Sequence, residues 1–465
     1  MAVITRTPNR RKSVATRWSA TSIGADVLAF VLAGTASFSV RIVGDLPIAE
    51  IIQIPLVPIL ISAFGKRLLR PNIAVIFSLI GLWLVGQVLT DIYRGTPTID
   101  WMRGDAAIVF FAIDIAGLTV LLARNERRKV IFLIGLAIGS LLSARFYPSR
   151  LSIGDPWKFG YSSGSALLVL LISSYFYSRR QYMISGVFLA GISGVNLLMN
   201  YRSQVLFLLI TVALVFPIVP EQIGRLRLLP RAGGFMRVAV LAGIALGAGW
   251  AALSLVRFVT SAGLIGEEAV AKNEEQAETG GLLLAGRPEI QVSSRAVLDS
   301  PILGHGSWAK DFKYVEMLDD IRVEKGGQSE LQDAEEESQG GVIPTHSHIM
   351  GAWVWAGILG AVFWAYFLWL VIQGTVRVTI LRPPLAPIYA YIILGMMWSI
   401  LFSPFSTMAR FAEALTIVII IDLLKDGGSS LKVLKWARRG QWRRQGFHAR
   451  LSVPGRNPAV TSTGG

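Results

Sequence analysis

Apolar stretches recur along almost the whole of this chain, and each is close to the roughly 20 residues that a membrane-crossing helix needs. They fall at 22–40, 45–64, 72–91, 105–123, 129–144, 160–177, 182–199, 204–220, 236–256, 347–373, 384–402 and 408–424. In lipid every backbone N–H and C=O must be paired within the protein, so a chain patterned this way folds as a helix bundle. The expected fold is an all-α polytopic membrane protein of about 12 spans. Only 16% of the residues are charged, and the mean hydropathy is +0.54. A soluble enzyme, a secreted disulfide scaffold and a disordered chain are excluded by those values. The absence of cysteine also removes thiolate chemistry and Cys-ligated metal.

The net charge of +15 is informative through its distribution. Segments on one side carry Arg6, Arg10, Arg11, Lys12 and Arg17, then Lys66, Arg67 and Arg70, then Arg124, Arg127, Arg128 and Lys129. The same side continues with Arg179 and Arg180, with Arg225, Arg227, Arg231 and Arg237, with Arg377 and Arg382, and with the tail from Lys425. Basic residues are retained in the cytoplasm, so both termini are expected there. The expected division is a basic N-terminus at 1–21, helices over 22–257, a large outer loop at 258–345, helices over 346–424 and a basic tail at 425–465. From Ser261 to Thr345 the loop holds 17 acidic and 7 basic residues. Its stretch from Glu324 to Gly341 reads as a solvated spacer. The tail, with Trp436 and Trp442 among its basic residues, suits the anionic leaflet of a membrane; membrane lipids are expected partners and nucleic acid is not.

Four histidines are present: His305, His346, His348 and His448. His346 stands where the loop re-enters the membrane, after Pro344 and Thr345. Helical spacing places His346, Met350, Trp353, Gly357 and Gly360 along one face, and the two glycines allow close approach of a neighbouring helix. Two roles are open to His346: cap of a helix, or proton acceptor at neutral pH. Arg202, in the short outer turn before span eight, either snorkels into headgroups or grips phosphate. Arg287 is equally readable as an ion-pair partner of Glu289. The glycines around His305 read as a turn, with a structural histidine between them. Few charges are expected inside the spans. A zinc site is disfavoured because His346 and His348, two apart on a helix, point to different faces.

The run His346-Ser347, nine residues, Gly357, two residues and Gly360 resembles the signature of the bacterial O-antigen ligases, in which His is followed by Asn, Ser or Gln, nine residues, Gly, two residues, and Gly, Thr or Tyr. Its place, where a large loop enters a late helix, is similar too. The related O-antigen polymerases share that architecture. Arg202-Ser203 is similar to a Ser-Arg pair of the family with the order reversed. Arg287 and Pro301 to Gly306 resemble an arginine and a glycine-bounded turn in its loop, although Ile290 and Gln291 stand where the family often has an aromatic residue.

The resemblance implies a metal-independent, inverting glycosyltransferase of the bacterial inner membrane with a periplasmic active site. It would move a glycan from undecaprenyl diphosphate to a hydroxyl of lipid A-core or of another glycan, with no cofactor. His346 would accept or orient the acceptor's proton. Arg202 and Arg287 would hold the diphosphate, with Arg410 at the outer start of span twelve as a further candidate. Ser347, Gly357 and Gly360 would serve packing. An O-antigen ligase is the leading expectation, an O-antigen or exopolysaccharide polymerase the nearest rival. A polysaccharide or lipid flippase is the alternative from another class.

Overall fold

The computed structural model describes, apart from isolated positions, residues 20–64, 71–216, 288–324 and 341–425. The stretch 236–256 lies almost entirely outside the described residues, as do Arg287, His448 and both tails. Each of the other apolar stretches forms a helix. α1 runs Ala20–Thr35, α2 Ile48–Phe64, α3 Pro71–Arg94, α4 Thr98–Leu122 and α5 Glu126–Phe146. A short α6 (Arg150–Gly154) and a π-helical turn (Trp157–Tyr161) lead into α7 (Ser162–Ser178), α8 (Tyr182–Leu198) and α9 (Arg202–Val215). Two helices, α10 (Glu289–Asp299) and α11 (Phe312–Glu324), belong to the long polar segment. α12 (His348–Leu381), α13 (Ala386–Phe402) and α14 (410–425) complete the bundle. Among the described residues five helices, including α3, α4, α5 and α12, are long and apolar enough to cross a membrane; α8, α9 and α13 are shorter apolar helices.

Helix ends follow local chemistry. α1 stops at Thr35 because the chain turns into an antiparallel hairpin, β1 (Ser39–Arg41) with β2 (Asp45–Pro47), in register Val40 opposite Leu46. The apolar run around residue 40 is therefore strand and not the end of a span. Asn125 caps α5, its side chain accepting from the Arg128 amide. α1 packs on α5, α2 on α4, and α3 and α13 on α12. The centre of the bundle is aromatic: Trp83 stacks on Phe363 at 5.3 Å, and Phe111 lies parallel to Trp364 at 6.0 Å. Such contacts add to the burial of large apolar surface.

The end of the bundle opposite α10 and α11 holds a buried cation. Lys129 is fully buried, and its Nζ lies 2.8 Å from both Glu126 Oε1 and Asp422 Oδ2. Asp422 also accepts the Arg124 amide at 2.7 Å, and the Tyr389 hydroxyl donates to the other oxygen of Glu126. This joins α5, α13 and α14 through charge in an apolar setting, where an unpaired charge is costly. Removing one member of such a buried pair costs about 3–5 kcal/mol, whereas replacing both by apolar groups is often neutral. Lys129→Met should therefore lower the melting temperature in detergent sharply, and Lys129→Met with Asp422→Leu should recover most of the loss; differential scanning fluorimetry reads both.

Candidate functional site

The long segment docks onto the bundle through a break in α12. Gly357 has φ 64° and ψ −156°, a conformation open essentially to glycine, and it splits α12 within one continuous run of helix. The turn 300–307 fills the gap. His305 N donates to Val354 O at 2.6 Å, Gly306 N to Trp355 O at 3.1 Å, and Ile358 N to Ile302 O at 3.2 Å. A side chain at Gly357 would overlap Ile302 O, and one at Gly304 (φ 80°) would come within 2.7 Å of Gly357 N. From the other side the end of α3 grips the same turn. Asp91 accepts the Ser307 amide and hydroxyl, each at 2.6 Å, and Gln87 donates to Ser307 Oγ at 2.7 Å. Arg94 donates to Gly304 O at 2.8 Å and to Ser300 Oγ at 2.7 Å, and Thr90 donates to Leu303 O. His305 is structural, with Nε2 2.8 Å from Ala296 O.

A small core joins the rest of the segment to α12. Val292, Ala296, Tyr314, Leu318, Ile343 and Val354 are buried together. Asp299 Oδ2 accepts from Lys313 Nζ at 2.9 Å and from the Tyr314 hydroxyl at 2.7 Å. Those bonds, Lys313 foremost, hold the Asp299 carboxyl below its ordinary value of 3.8, while burial pushes the Tyr314 phenol up. The strands of chain that leave and re-enter this unit lie side by side, Ile343 N donating to Ala309 O at 2.9 Å and Asp311 N to Gly341 O at 2.8 Å.

That pairing delivers the chain to His346. The residue is exposed and borders a cavity of about 760 Å³ between the polar segment and the bundle. Trp83, Gln87, Glu289, Arg322, Thr345 and Phe405 are among its other walls. His346 does not share a helical face with Met350 and Gly357. Ser347 is the N-cap: its hydroxyl accepts from Met350 N at 3.3 Å and donates to Ile400 O at 2.8 Å, so the helix begins one residue beyond. Gly357 likewise serves the break in α12 rather than a smooth glycine face. Gly360 lies just past the bend, where an added side chain would come within 2.5 Å of Ala352 O.

The arginines singled out by sequence do not converge on this cavity. Arg410 is buried and bound by Glu50, with Nε to Oε1 at 2.9 Å and Nη2 to Oε2 at 2.8 Å. A guanidinium so engaged in the bundle is a tie between α2 and α14, not an open anion site. Arg202 heads α9, and its neighbours Tyr201, Ser203 and Gln204 line a second cavity of about 370 Å³ between α9, α13 and α14. Arg287 lies outside the described residues, two positions before Glu289. The arginine that does line the His346 cavity is Arg322 of α11, a third exposed and 3.6 Å from Glu289.

His348 is the larger surprise. It is 1% exposed, with Nδ1 2.6 Å from Ser403 O and Nε2 2.6 Å from Glu413 Oε1, and it stands edge-on to Trp364. The expectation of few charges inside the spans is therefore overturned. Glu50, Asp114, Lys129, Arg410, Glu413 and Asp422 are all buried in the bundle. The signal was present as single acids in apolar runs, which mark functional or structural ties. Among the described residues no cluster of three or more His, Asp or Glu is placed to hold a metal ion. Comparison with protein-family models, with curated proteins and with solved structures finds no match to this chain.

Two outcomes follow from the docking geometry. The Gly357 backbone alone would cost a side-chain-bearing residue about 1–3 kcal/mol, and the overlap with Ile302 O adds to that. Gly357→Ala should therefore release the turn and expose 300–307 to limited proteolysis, with a lower melting temperature. Asp299 has a lowered folded-state pKa, so its contribution is full above the ordinary carboxylate value of 3.8 and is lost as pH falls through the folded value. Hydrogen exchange in α11 should quicken below pH 3.8 in the native chain, and Asp299→Asn should show the faster exchange at every pH.

Proposed function

We propose that the chain is a membrane glycosyltransferase of the O-antigen ligase type. It would transfer a glycan from undecaprenyl diphosphate to an acceptor hydroxyl on the periplasmic face, with lipid A-core the leading acceptor. The observation that carries this reading is His346, exposed at the wall of a 760 Å³ cavity roofed by the polar segment. A phosphate ester leaving group needs no further activation, so the protein has to neutralise an anion and position a hydroxyl. An imidazole suits removal of that hydroxyl's proton. The new bond forms between the acceptor oxygen and the anomeric carbon, the carbon–oxygen bond to the diphosphate breaks, and the lipid diphosphate leaves with the electron pair. Attack from the face opposite the leaving group inverts the centre. Arg322 is the cavity's anion-binding residue in this reading; Arg287, which lies outside the described residues, stays a further candidate. Arg202 takes no direct part, and Arg410 acts through the bundle.

The same geometry serves a polymerase, whose acceptor is a second lipid-linked glycan. A flippase is the second reading that an observation favours, because buried Glu50, Asp114, Arg410 and Glu413 supply the intramembrane ionisable groups that transport uses. Transfer by the purified protein in detergent, with no sealed compartment, separates enzyme from carrier.

With lipid-diphosphate glycan and acceptor supplied, His346→Ala should lower the turnover rate by about 100-fold or more, the usual contribution of a positioned acid–base group. Arg322→Ala should weaken donor binding and leave the chain folded. Native turnover in the His346 variant would remove this residue from the chemistry.

A further inference from the structure

Two indoles on the wall of the His346 cavity are not explained by packing. Trp308 lies between α10 and α11 with φ 51°, in the left-handed region that a bulky side chain rarely enters. Such strain persists only where the surroundings over-determine it, and it gathers at functional sites. The chain is pinned on both sides of this residue. Ser307 is gripped by Asp91 and Gln87, Ile343 N donates to Ala309 O at 2.9 Å, and Lys310 Nζ donates to Asp100 Oδ2 at 3.2 Å. Burial in a core does not offset the strain. Trp83 and Trp364 are 3% and 0% exposed inside the bundle, whereas Trp308 is half-buried and belongs to none of the apolar clusters among the described residues. Its ring partner is Trp355 of α12, with centroids 5.4 Å apart and planes inclined at 31°. Trp355 is also half-buried, and its backbone carbonyl holds the Gly306 amide. Both residues line the cavity on mounts that are fixed before any ligand arrives.

The polar lining narrows the ligand. Asp45 and Glu289 border the same space, and each has a guanidinium beside it, Arg41 at 3.5 Å from Asp45 and Arg322 at 3.6 Å from Glu289. These carboxylates are therefore hydrogen-bond acceptors in a wall of little net charge, where an ammonium group gains no advantage over a neutral one. Gln87 and Thr345 add neutral polar groups. The negative face of an indole attracts C–H groups, and carboxylates and amides take up hydroxyls. A pyranose presents both, a face of C–H groups and a rim of hydroxyls. We infer that Trp308 and Trp355 form a sugar-binding platform, on which a neutral pyranose of the donor or acceptor glycan stacks its C–H face against Trp308 while Asp45 and Glu289 accept its hydroxyls. The choice of a sugar as ligand rests on the glycosyltransferase reading; the aromatic platform itself does not.

The test uses the full-length protein in phosphatidylcholine nanodiscs with methyl β-D-glucopyranoside, whose ring hydrogens are all axial. Saturation-transfer difference NMR should show transfer strongest to those ring hydrogens and weaker to the O-methyl group. Trp308→Asn should fold, since Asn tolerates positive φ, and should melt no lower than the native chain. It should weaken binding several-fold, up to about tenfold, the size of one aromatic stacking contact. Trp308→Tyr keeps a flat ring and should retain most of the signal. In glycan transfer, Trp308→Asn should raise KM and leave the turnover rate near native. Undiminished saturation in Trp308→Asn, failure of that variant to fold, or saturation of choline chloride equal to that of the glycoside would overturn the assignment. The two readings fail separately. A signal that is lost in Trp308→Asn, in a protein that transfers no glycan, keeps the platform and removes the transfer reading. Transfer with native KM in Trp308→Asn removes the platform alone.

Discussion

A helix surrounded by apolar side chains cannot leave backbone groups bare, and α12 is interrupted in that setting. The break at Gly357 frees carbonyls at Val354 and Trp355 and the amide of Ile358. All three are taken by the turn 302–306 of the polar segment. The bundle and the segment are therefore obligatory partners, because each closes hydrogen bonds that the other opens. Asp91 and Arg94 at the end of α3 grip the same turn, so a rearrangement there would open polar groups on three elements together. The position of His346 follows from this clamp. The chain returns beside Ala309 and Asp311, close to the gripped turn, and has only a few residues in which to reach the cap at Ser347.

The buried charges divide into two kinds by what they face. Lys129 with Asp422, and Arg410 with Glu50, are each satisfied by a partner on another helix at about hydrogen-bond length. Ties of that sort add little net stability but forbid alternative packings, since any other arrangement would strand a charge. Glu413 differs. It uses one oxygen on His348, and the other is buried with no hydrogen-bond partner among the described residues.

The helices were legible from apolar length alone, because in a membrane protein that single pattern and the backbone's need for partners dictate them. Their ends were less so. The apolar content of Phe38 and Val40 extended a span that the chain leaves at Thr35, and hydropathy does not register a hairpin. His346 at a cavity wall was legible through its position at the segment's return. Its helical face was not, because Ser347 caps one residue later and the spacing rule applies only within a helix. Arg410 looked like an outer-surface cation, since nothing in the sequence near it announces Glu50, 360 positions away. Arg322 was hidden in an acidic helix, and Glu413 in the apolar run of α14; both needed the third dimension to acquire neighbours.

The electrostatics of the His346 cavity follow from these placements. Asp45 and Glu289 border it together with Arg322 and His346, so it is not a strongly positive pocket before anything binds. Arg322 and Glu289 lie 3.6 Å apart, with side chains 33% and 13% exposed. Arg410 is firmly held, since its two bonds to Glu50 are short and buried and leaving them would strand the carboxylate.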